Sequence, residues 1–345
     1  MARKRRRNAP WRPRLLGGAA LVAVAACAVA LRRRCDGAAH VVVKDGVRWL
    51  VQGGDVIGAA YVGHPEYAAF RGWAVQRVAG AARPAATNAL VVGVGAGSVV
   101  NHLRKTLDAD AVELDADVAR LATEHFGVKA NSVHCGDGVA LLRTAGRLYD
   151  LVLVDVVDPS SAATTVAALD AAVATPRVAA GGLLVLNVVA LDDAEGLDFL
   201  RFAASALARR FAVVRAVRDS PPEDAGATNV VFFASDDAVD WPAPADEPEV
   251  GSQEWVAAHV AAWELVSCVR GSCDLAFRGV SVAWRAAEGP PRPGPAYDAR
   301  AAANLANLTA GFLPAADRVP PRSACAARLW RRYAEPSPCA AGEPP

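Results

Sequence analysis

Between residues 89 and 235 the chain alternates short apolar runs with longer amphipathic runs, and this alternation restricts its fold more than any other feature. Seven of the runs have the length of a strand: ALVV (89–92), AVEL (111–114), SVHCGD (132–137), YDLVLVD (149–155), GGLLVLNV (181–188), AVVRAV (212–217) and NVVFFAS (229–235). Helical spacing of apolar residues fills most of the gaps between them. The order predicts an α/β fold with a doubly wound, mainly parallel, Rossmann-like sheet of seven strands. The last two strands are expected to close it as an antiparallel pair.

A glycine-rich turn follows the first of these strands. Gly93, Gly95 and Gly97 lie two residues apart, and an amphipathic run begins directly after them. Strand, G-x-G-x-G and helix is the arrangement that brings backbone N–H groups and a helix N-terminus against a nucleotide-type ligand. Glycines in such a turn also serve merely to pack a helix on a sheet. Both interpretations stay open for the turn taken alone.

Acidic residues end the next three strands of the predicted sheet. Glu113 lies twenty residues after Gly93, where a carboxylate can accept hydrogen bonds from ribose hydroxyls. Asp137 ends the third strand, at the expected adenine edge, and Asp155 ends the fourth, beside the expected reacting centre. Any one of them could instead cap the helix that follows. Their occurrence at successive strand ends favours a ligand site, because open α/β sheets bind ligands at those ends.

The motifs VVGVGAGS, VELDADV, HFGV, CGDG and YDLVLVDVVDP together resemble class I S-adenosylmethionine-dependent methyltransferases, in particular the spermidine-synthase-like branch. The resemblance covers about residues 40–235. It implies that S-adenosylmethionine is the cofactor and that Gly93, Gly95 and Gly97 wrap it. It further implies that Glu113 holds the ribose and Asp137 the adenine amine.

One position separates the two chemistries of this branch. Aminopropyltransferases similar to spermidine synthase carry an aspartate in the glycine loop that pairs with decarboxylated S-adenosylmethionine, and here the corresponding residue is Ala96. The D-x-x-D-P element is present as Asp155 to Pro159, so Asp155 and Asp158 are the candidate catalytic residues. Either carboxylate could take a proton from an acceptor amine or hold it in line. Asp155 could equally accept a hydrogen bond from the amino group of the cofactor.

The expected function is an S-adenosylmethionine-dependent methyltransferase acting on a protein or small-molecule acceptor, with a protein amine favoured. The alternatives are a membrane-anchored, catalytically inactive scaffold and a polyamine aminopropyltransferase. No nucleic-acid partner is expected, because 10 of the 37 Lys and Arg lie in residues 1–34 and the remainder carries 27 bases against 36 acids. Cysteine spacing predicts no metal site.

The N-terminus has the pattern of a targeting or anchoring segment. Residues 1–14 are strongly basic, and the uninterrupted apolar run LLGGAALVAVAACAVAL follows at 15–31. Its length is at the short end of the about 17–25 residues that cross a bilayer. The basic flank predicts a single-pass membrane protein with an extracytoplasmic body. A cleaved signal or plastid-type presequence, which would give a secreted or plastid-targeted protein, and a buried helix remain alternatives.

Three segments are therefore expected: a basic N-terminus with an apolar span (1–34), the methyltransferase domain (40–235) and a C-terminal appendage of open role (236–345). HVVVKDGVRWLVQGG (40–54) predicts a β-hairpin that precedes the main sheet. A helix is expected over 64–80 and another over 254–271.

Overall fold

The computed structural model describes residues 39–44, 46–52, 55–156, 163–175, 177–219, 228–241, 263–277 and 280–292. These residues form two sheets. A four-stranded antiparallel sheet comes first in the chain, and a ten-stranded mixed sheet with helices on both faces follows.

The predicted N-terminal hairpin is confirmed, and it is half of the smaller sheet. The strands lie in chain order: β1 (His40–Lys44), β2 (Val47–Gln52), β3 (Asp55–Tyr61) and β4 (His64–Ala68). The expectation of a helix from residue 64 was wrong at its start, because His64–Ala68 pairs with β3 across a tight turn. The helix itself begins at Arg71.

The larger sheet contains the seven predicted strands and three more. Its strands are β5 (Asn88–Val92), β6 (Asp108–Glu113), β7 (Val133–Cys135), β8 (Tyr149–Val154), β9 (Val178–Ala190), β10 (Val213–Arg218), β11 (Thr228–Ser235), β12 (Glu264–Val269), β13 (Ser272–Phe277) and β14 (Val280–Arg285). Across the sheet they follow the order β14-β13-β12-β10-β11-β9-β8-β5-β6-β7.

The predicted fold class is confirmed for the seven strands β5 to β11. Strands β7, β6, β5, β8 and β9 are neighbours and run parallel. Chain order turns back at β5, as in doubly wound folds, which places a switch point beside the glycine turn. Strand β11 inserts antiparallel between β9 and β10, so the expected closing pair is present.

Helices cover both faces of this sheet. Their bounds are α1 (Arg71–Ala82), α2 (Ser98–Leu103), α3 (Ala116–His125), α4 (Gly138–Leu142), α5 (Ala163–Ala174) and α6 (Ala194–Ala208). Alternate residues of β8 are buried against opposite layers: Leu151 and Leu153 lie in the cluster that contains α1 and α2, and Val152 and Val154 in the cluster that contains α4 to α6. A strand buried on both faces is an unbroken apolar run, which explains why β8 was easily predicted.

Residues 263–277 and 280–285, from the segment predicted as an appendage, continue the same sheet. Strand β12 pairs with β10, and β13 and β14 follow antiparallel. The helix expected over 254–271 is wrong from Glu264 onward, because Glu264–Val269 pairs with Ser272–Phe277 across a short turn. With these strands five antiparallel pairings outnumber four parallel ones, so "mainly parallel" holds only for the seven-stranded part.

Among the described residues, no helix is long and apolar enough to cross a bilayer. The predicted span at 15–31 lies outside the described residues, as does most of the C-terminal segment.

Candidate active site

The predicted site residues meet at the carboxyl edge of the parallel strands. The backbone N–H of Gly93 donates to the carbonyl of Val112 at 2.9 Å, and that of Asp155 donates to the carbonyl of Val92 at 2.8 Å. These two bonds place the ends of β6, β5 and β8 side by side. The glycine turn, Glu113 and Asp155 are therefore adjacent, as the sequence predicted.

Each glycine of the turn has a packing reason of its own. All three have positive φ, +88° at Gly93, +51° at Gly95 and +74° at Gly97. A Cβ at Gly93 would lie 2.0 Å from the carbonyl oxygen of Asp155, and one at Gly95 would lie 2.8 Å from that of Ile57. A Cβ at Gly97 would lie 2.1 Å from a methyl of Val128. Glycine is thus required here by neighbouring protein atoms, and contact with a cofactor stays a prediction.

Glu113 binds the backbone of the glycine turn. Its Oε2 accepts from the N–H groups of Val94 at 2.9 Å and Gly95 at 3.3 Å, and Oε1 accepts from the N–H of Asp115 at 3.1 Å. Burial raises the pKa of the Glu113 carboxyl, and the three amides oppose that rise in part. Three of the about four lone-pair positions of a carboxylate are thereby used, which leaves one for a ligand hydroxyl.

Asp137 is exposed and caps α4. Its Oδ1 accepts from the backbone N–H of Ala140 at 2.9 Å. This is the helix-capping role that the sequence left open as an alternative, and it uses one oxygen of the carboxylate. A contact of Asp137 with an adenine amine stays a prediction.

Asp155 is half-buried and held by three N–H donors. Trp73 Nε1 and Gln76 Nε2 donate to Oδ2 at 3.2 and 2.8 Å, and Asn187 Nδ2 donates to Oδ1 at 2.9 Å. None of these three donors was assigned to the site from the sequence. The sequence held a signal, because Gln76 lies one helical turn from Trp73 and from Ala79, among apolar residues. The structure buries Gln76 to 2% exposure, and a buried amide needs a partner.

The remaining catalytic prediction, Asp158, lies outside the described residues. Ala96 is 3% exposed and belongs to an apolar cluster with Leu50, Ala60 and Phe126. Its side chain therefore packs between the N-terminal sheet and α3. A Cβ added at Gly58 of β3 would lie 2.7 Å from the Ala96 Cβ.

The residues present fit an S-adenosylmethionine-type cofactor. Such a molecule brings ribose hydroxyls, an ammonium and a positively charged sulfur, and the edge offers acceptor oxygens on Glu113, Asp137 and Asp155. Asn187 adds a further one, because its Oδ1 is buried and has no hydrogen-bond partner among the described residues. Buried acceptors of this kind normally find a donor. The donor set of the cofactor and the acceptor set of the site are thus complementary.

Comparison with known proteins agrees with the fold. Residues 74–174, from α1 to the end of α5, match the model of the spermine/spermidine synthase domain. A search of curated proteins gives no match. The chain therefore has a spermidine-synthase-like class I methyltransferase fold. That fold is shared by methyltransferases and aminopropyltransferases, so the reaction has to be argued from the residues of the site.

Similar solved structures include members of both groups. A probable spermidine synthase from Corynebacterium glutamicum is 18% identical, with 58% of this chain and 77% of that chain covered and a TM-score of 0.49. Spermidine synthase from Thermotoga maritima is 14% identical, with 58% and 73% covered and a TM-score of 0.42. Human methyltransferase-like protein 13 in complex with SAH is 22% identical, with 56% and 88% covered and a TM-score of 0.36.

Proposed function

We propose that this chain is an S-adenosylmethionine-dependent methyltransferase whose acceptor is an amine, with a protein amine favoured. The observation that carries the choice over aminopropyl transfer is Ala96. Aminopropyltransferases similar to spermidine synthase carry an aspartate here as the countercharge for decarboxylated S-adenosylmethionine. In this chain the side chain is a methyl group enclosed by apolar neighbours, and it presents no charge to a ligand. A carboxylate in that cluster would be costly, since it would be buried without a described partner.

Asp155 is the residue proposed to handle the acceptor. Among the described residues three donors occupy its carboxylate, two on Oδ2 and one on Oδ1, so the open lone-pair position lies on Oδ1. An acceptor amine that donates one N–H to Oδ1 is held with its lone pair free for the methyl carbon. When bound, S-adenosylmethionine supplies the methyl group on a positively charged sulfur. The proton released by the amine can pass to Asp155.

Two other functions have specific support. The match to the spermine/spermidine synthase domain supports a polyamine aminopropyltransferase as an alternative function. A catalytically inactive scaffold is supported by the protein partners of the site, because Glu113 already bonds the turn amides and protein atoms already fill the spaces beside the glycines.

Binding and transfer assays on the purified chain separate these functions. A methyltransferase binds S-adenosylmethionine more tightly than the decarboxylated compound in calorimetry, and it transfers labelled methyl groups into a protein fraction of a lysate. Preference for the decarboxylated compound would indicate the aminopropyltransferase, and binding of neither would indicate the scaffold.

A pair of aspartate variants tests the role of Asp155. Asp155→Asn should lower the transfer rate by about 100-fold or more, in the range of general-base and positioning effects. Asp150→Asn is the matched control: this aspartate also accepts several hydrogen bonds, from Thr87 and Asn88, but at the opposite edge of the sheet. Equal rates for the two variants would refute the assignment of Asp155.

We also propose that the body lies outside the cytoplasm, anchored by residues 15–31, with secretion or plastid targeting after cleavage as the alternatives. A disulfide between Cys268 and Cys273 supports this proposal, because disulfides persist mainly in oxidising compartments. The full-length protein should stay with membranes after alkaline carbonate washing, with its body protected from added protease. Release into the supernatant with a new N-terminus near Leu31 would instead indicate cleavage.

A further inference from the structure

A chain of partly buried hydrogen bonds links Asp155 to a second acid, Asp219. Asn187 Nδ2 donates both to Asp155 Oδ1 at 2.9 Å and to Asn229 Oδ1 at 3.1 Å. Asn229 Nδ2 in turn donates to Asp219 Oδ2 at 2.8 Å, and Thr228 Oγ1 donates to Asp219 Oδ1 at 2.5 Å. The chain of bonds crosses four neighbouring strands at one end of the sheet, in the order β8, β9, β11 and β10. At this end Asp155 and Asp219 follow β8 and β10, whereas Asn229 lies at the start of antiparallel β11.

The two carboxylates fix the direction of every amide between them. A carboxylate only accepts hydrogen bonds, so the amide nitrogen of Asn187 must face Asp155 and that of Asn229 must face Asp219. The carbonyl oxygen of Asn229 is then the one left to face Asn187. Reversing either amide would set an oxygen against a carboxylate oxygen. Asp219 is 1% exposed and Asn187 is 4% exposed, so water does not readily replace these bonds.

Helix α1 closes over the same network from one face of the sheet. A Cβ at Gly72 would lie 3.2–3.3 Å from side-chain atoms of Asn229. The next residue, Trp73, and Gln76 one turn further donate to the other oxygen of Asp155. The helix thus contacts both ends of the Asn229–Asn187–Asp155 path, and the position of Asn229 bears on how α1 presents its two donors.

We propose that Asn229 and Asp219 are positioning residues for Asp155. This inference rests on the proposed methyltransferase function and deepens it. The open lone-pair position of Asp155 is on Oδ1, the oxygen that Asn187 holds, and Asn187 is oriented by Asn229, which Asp219 orients in turn. The orientation of Asp155, which binds the acceptor amine, is therefore set by Asp219 at the end of β10, three strands away in the sheet.

The test replaces Asn229, which lies between Asn187 and Asp219, by a side chain of similar size. Asn229→Leu retains the volume beneath Gly72 and removes both hydrogen bonds. Asp219→Asn keeps the shape but removes the charge and one of the two acceptor oxygens, and it carries the test if the leucine variant does not fold. Asn88→Leu is the matched control, because Asn88 also bonds an aspartate, Asp150, at the opposite edge of the sheet. Each variant is measured for S-adenosylmethionine affinity, for KM and kcat of methyl transfer and for the indole N–H resonance of Trp73.

The proposal expects kcat to fall about 10- to 100-fold in Asn229→Leu, the range caused by a misplaced group of about 1 Å. Affinity for S-adenosylmethionine should stay within about twofold, since Asn229 on β11 lies three strands away from β5, the strand that leads into the glycine turn. The Trp73 resonance should move in Asn229→Leu and in Asp219→Asn, and stay in place in Asn88→Leu.

An unchanged kcat in a folded Asn229→Leu or Asp219→Asn protein would overturn the proposal. If the wild type transfers no methyl group, the methyltransferase assignment fails, and the Trp73 resonance still decides on the network. A resonance that ignores both substitutions would show that Asp155 is not positioned through Asn229.

Discussion

Gly58→Ala should weaken the junction between the N-terminal sheet and the glycine turn. A Cβ at position 58 would lie 2.5 Å from the backbone nitrogen of Ala96 and 2.7 Å from its Cβ. Favourable separations between carbon atoms are about 3.5–4.0 Å, so strand and turn must move apart by about 1 Å. Both neighbours are main chain or nearly so, and neither can swing away as a long side chain can.

Overpacking of this kind costs about 1–3 kcal/mol. At about 2–4 °C per kcal/mol for a domain of this size, the melting temperature of Gly58→Ala should fall by about 2–12 °C. Thermal unfolding followed by circular dichroism measures the shift. Hydrogen exchange should rise first in β3 and in the turn at 93–97, because local opening begins where packing is lost.

Gly80→Ala is the matched control for Gly58→Ala. A Cβ at Gly80 would meet only a methyl of Leu103, at an ordinary 3.7 Å. The substitution lies within α1 and should stabilise the protein by about 0.5–1 kcal/mol through helix propensity and chain entropy. A Gly58→Ala protein that melts at or above the wild-type temperature would refute the contact between β3 and the turn.

Three further predictions concern stability. Burial, and after it the charges of nearby cations, lowers the pKa of His102 from its ordinary 6.5 to about 3. Between these two pH values the unfolded chain binds a proton at this residue and the folded chain does not. The stability of the fold therefore falls as the pH drops from 6.5 towards 3. His102→Gln should flatten that loss by about 1–2 kcal/mol between pH 7 and 5 in thermal melts, and an unchanged pH dependence in this variant would contradict the prediction. Replacing Cys268 and Cys273 by alanine should cost about 2 kcal/mol of loop entropy and make the melting temperature insensitive to reductant; an unchanged melting temperature without reductant would contradict this. Glu113→Gln should lower both melting temperature and cofactor affinity, because an amide NH₂ cannot accept from the turn; loss of affinity alone would show that the turn does not depend on this side chain.

The fold was predictable where the signal is local. Strands such as β8 are apolar runs buried on both faces, and the helices between them repeat at helical spacing. The extension β12 to β14 was not predictable in this way. Its first strand, Glu264–Val269, is short and partly buried, and its apolar residues also satisfy a helical spacing. This segment forms a strand because it pairs with β10, which is distant in sequence.

The same distinction applies to the site. The glycine turn, Glu113 and Asp155 were placed correctly at one edge, because parallel strands must bring their carboxyl ends together. Trp73 and Asn229 were missed, since their contacts join positions 82 and 42 residues apart and follow only from the packing of α1 on the sheet. No sequence pattern within one helix or strand predicts a hydrogen bond between two such distant residues.

Glu113 and Asp155 differ in the groups that donate hydrogen bonds to their carboxylates. Glu113 accepts three hydrogen bonds from nearby backbone amides, so it stabilises the turn in addition to any ligand that it binds. Asp155 accepts three hydrogen bonds from side chains of α1 and β9. Each retains about one open position, one suited to a hydroxyl beside the glycine turn and one to an N–H beside Asn187. A ligand with hydroxyls at one end and an N–H donor next to it at the other satisfies both without breaking a protein hydrogen bond. A nucleoside cofactor together with an amine acceptor meets that requirement, and so does S-adenosylmethionine alone if its amino group takes the open position on Asp155.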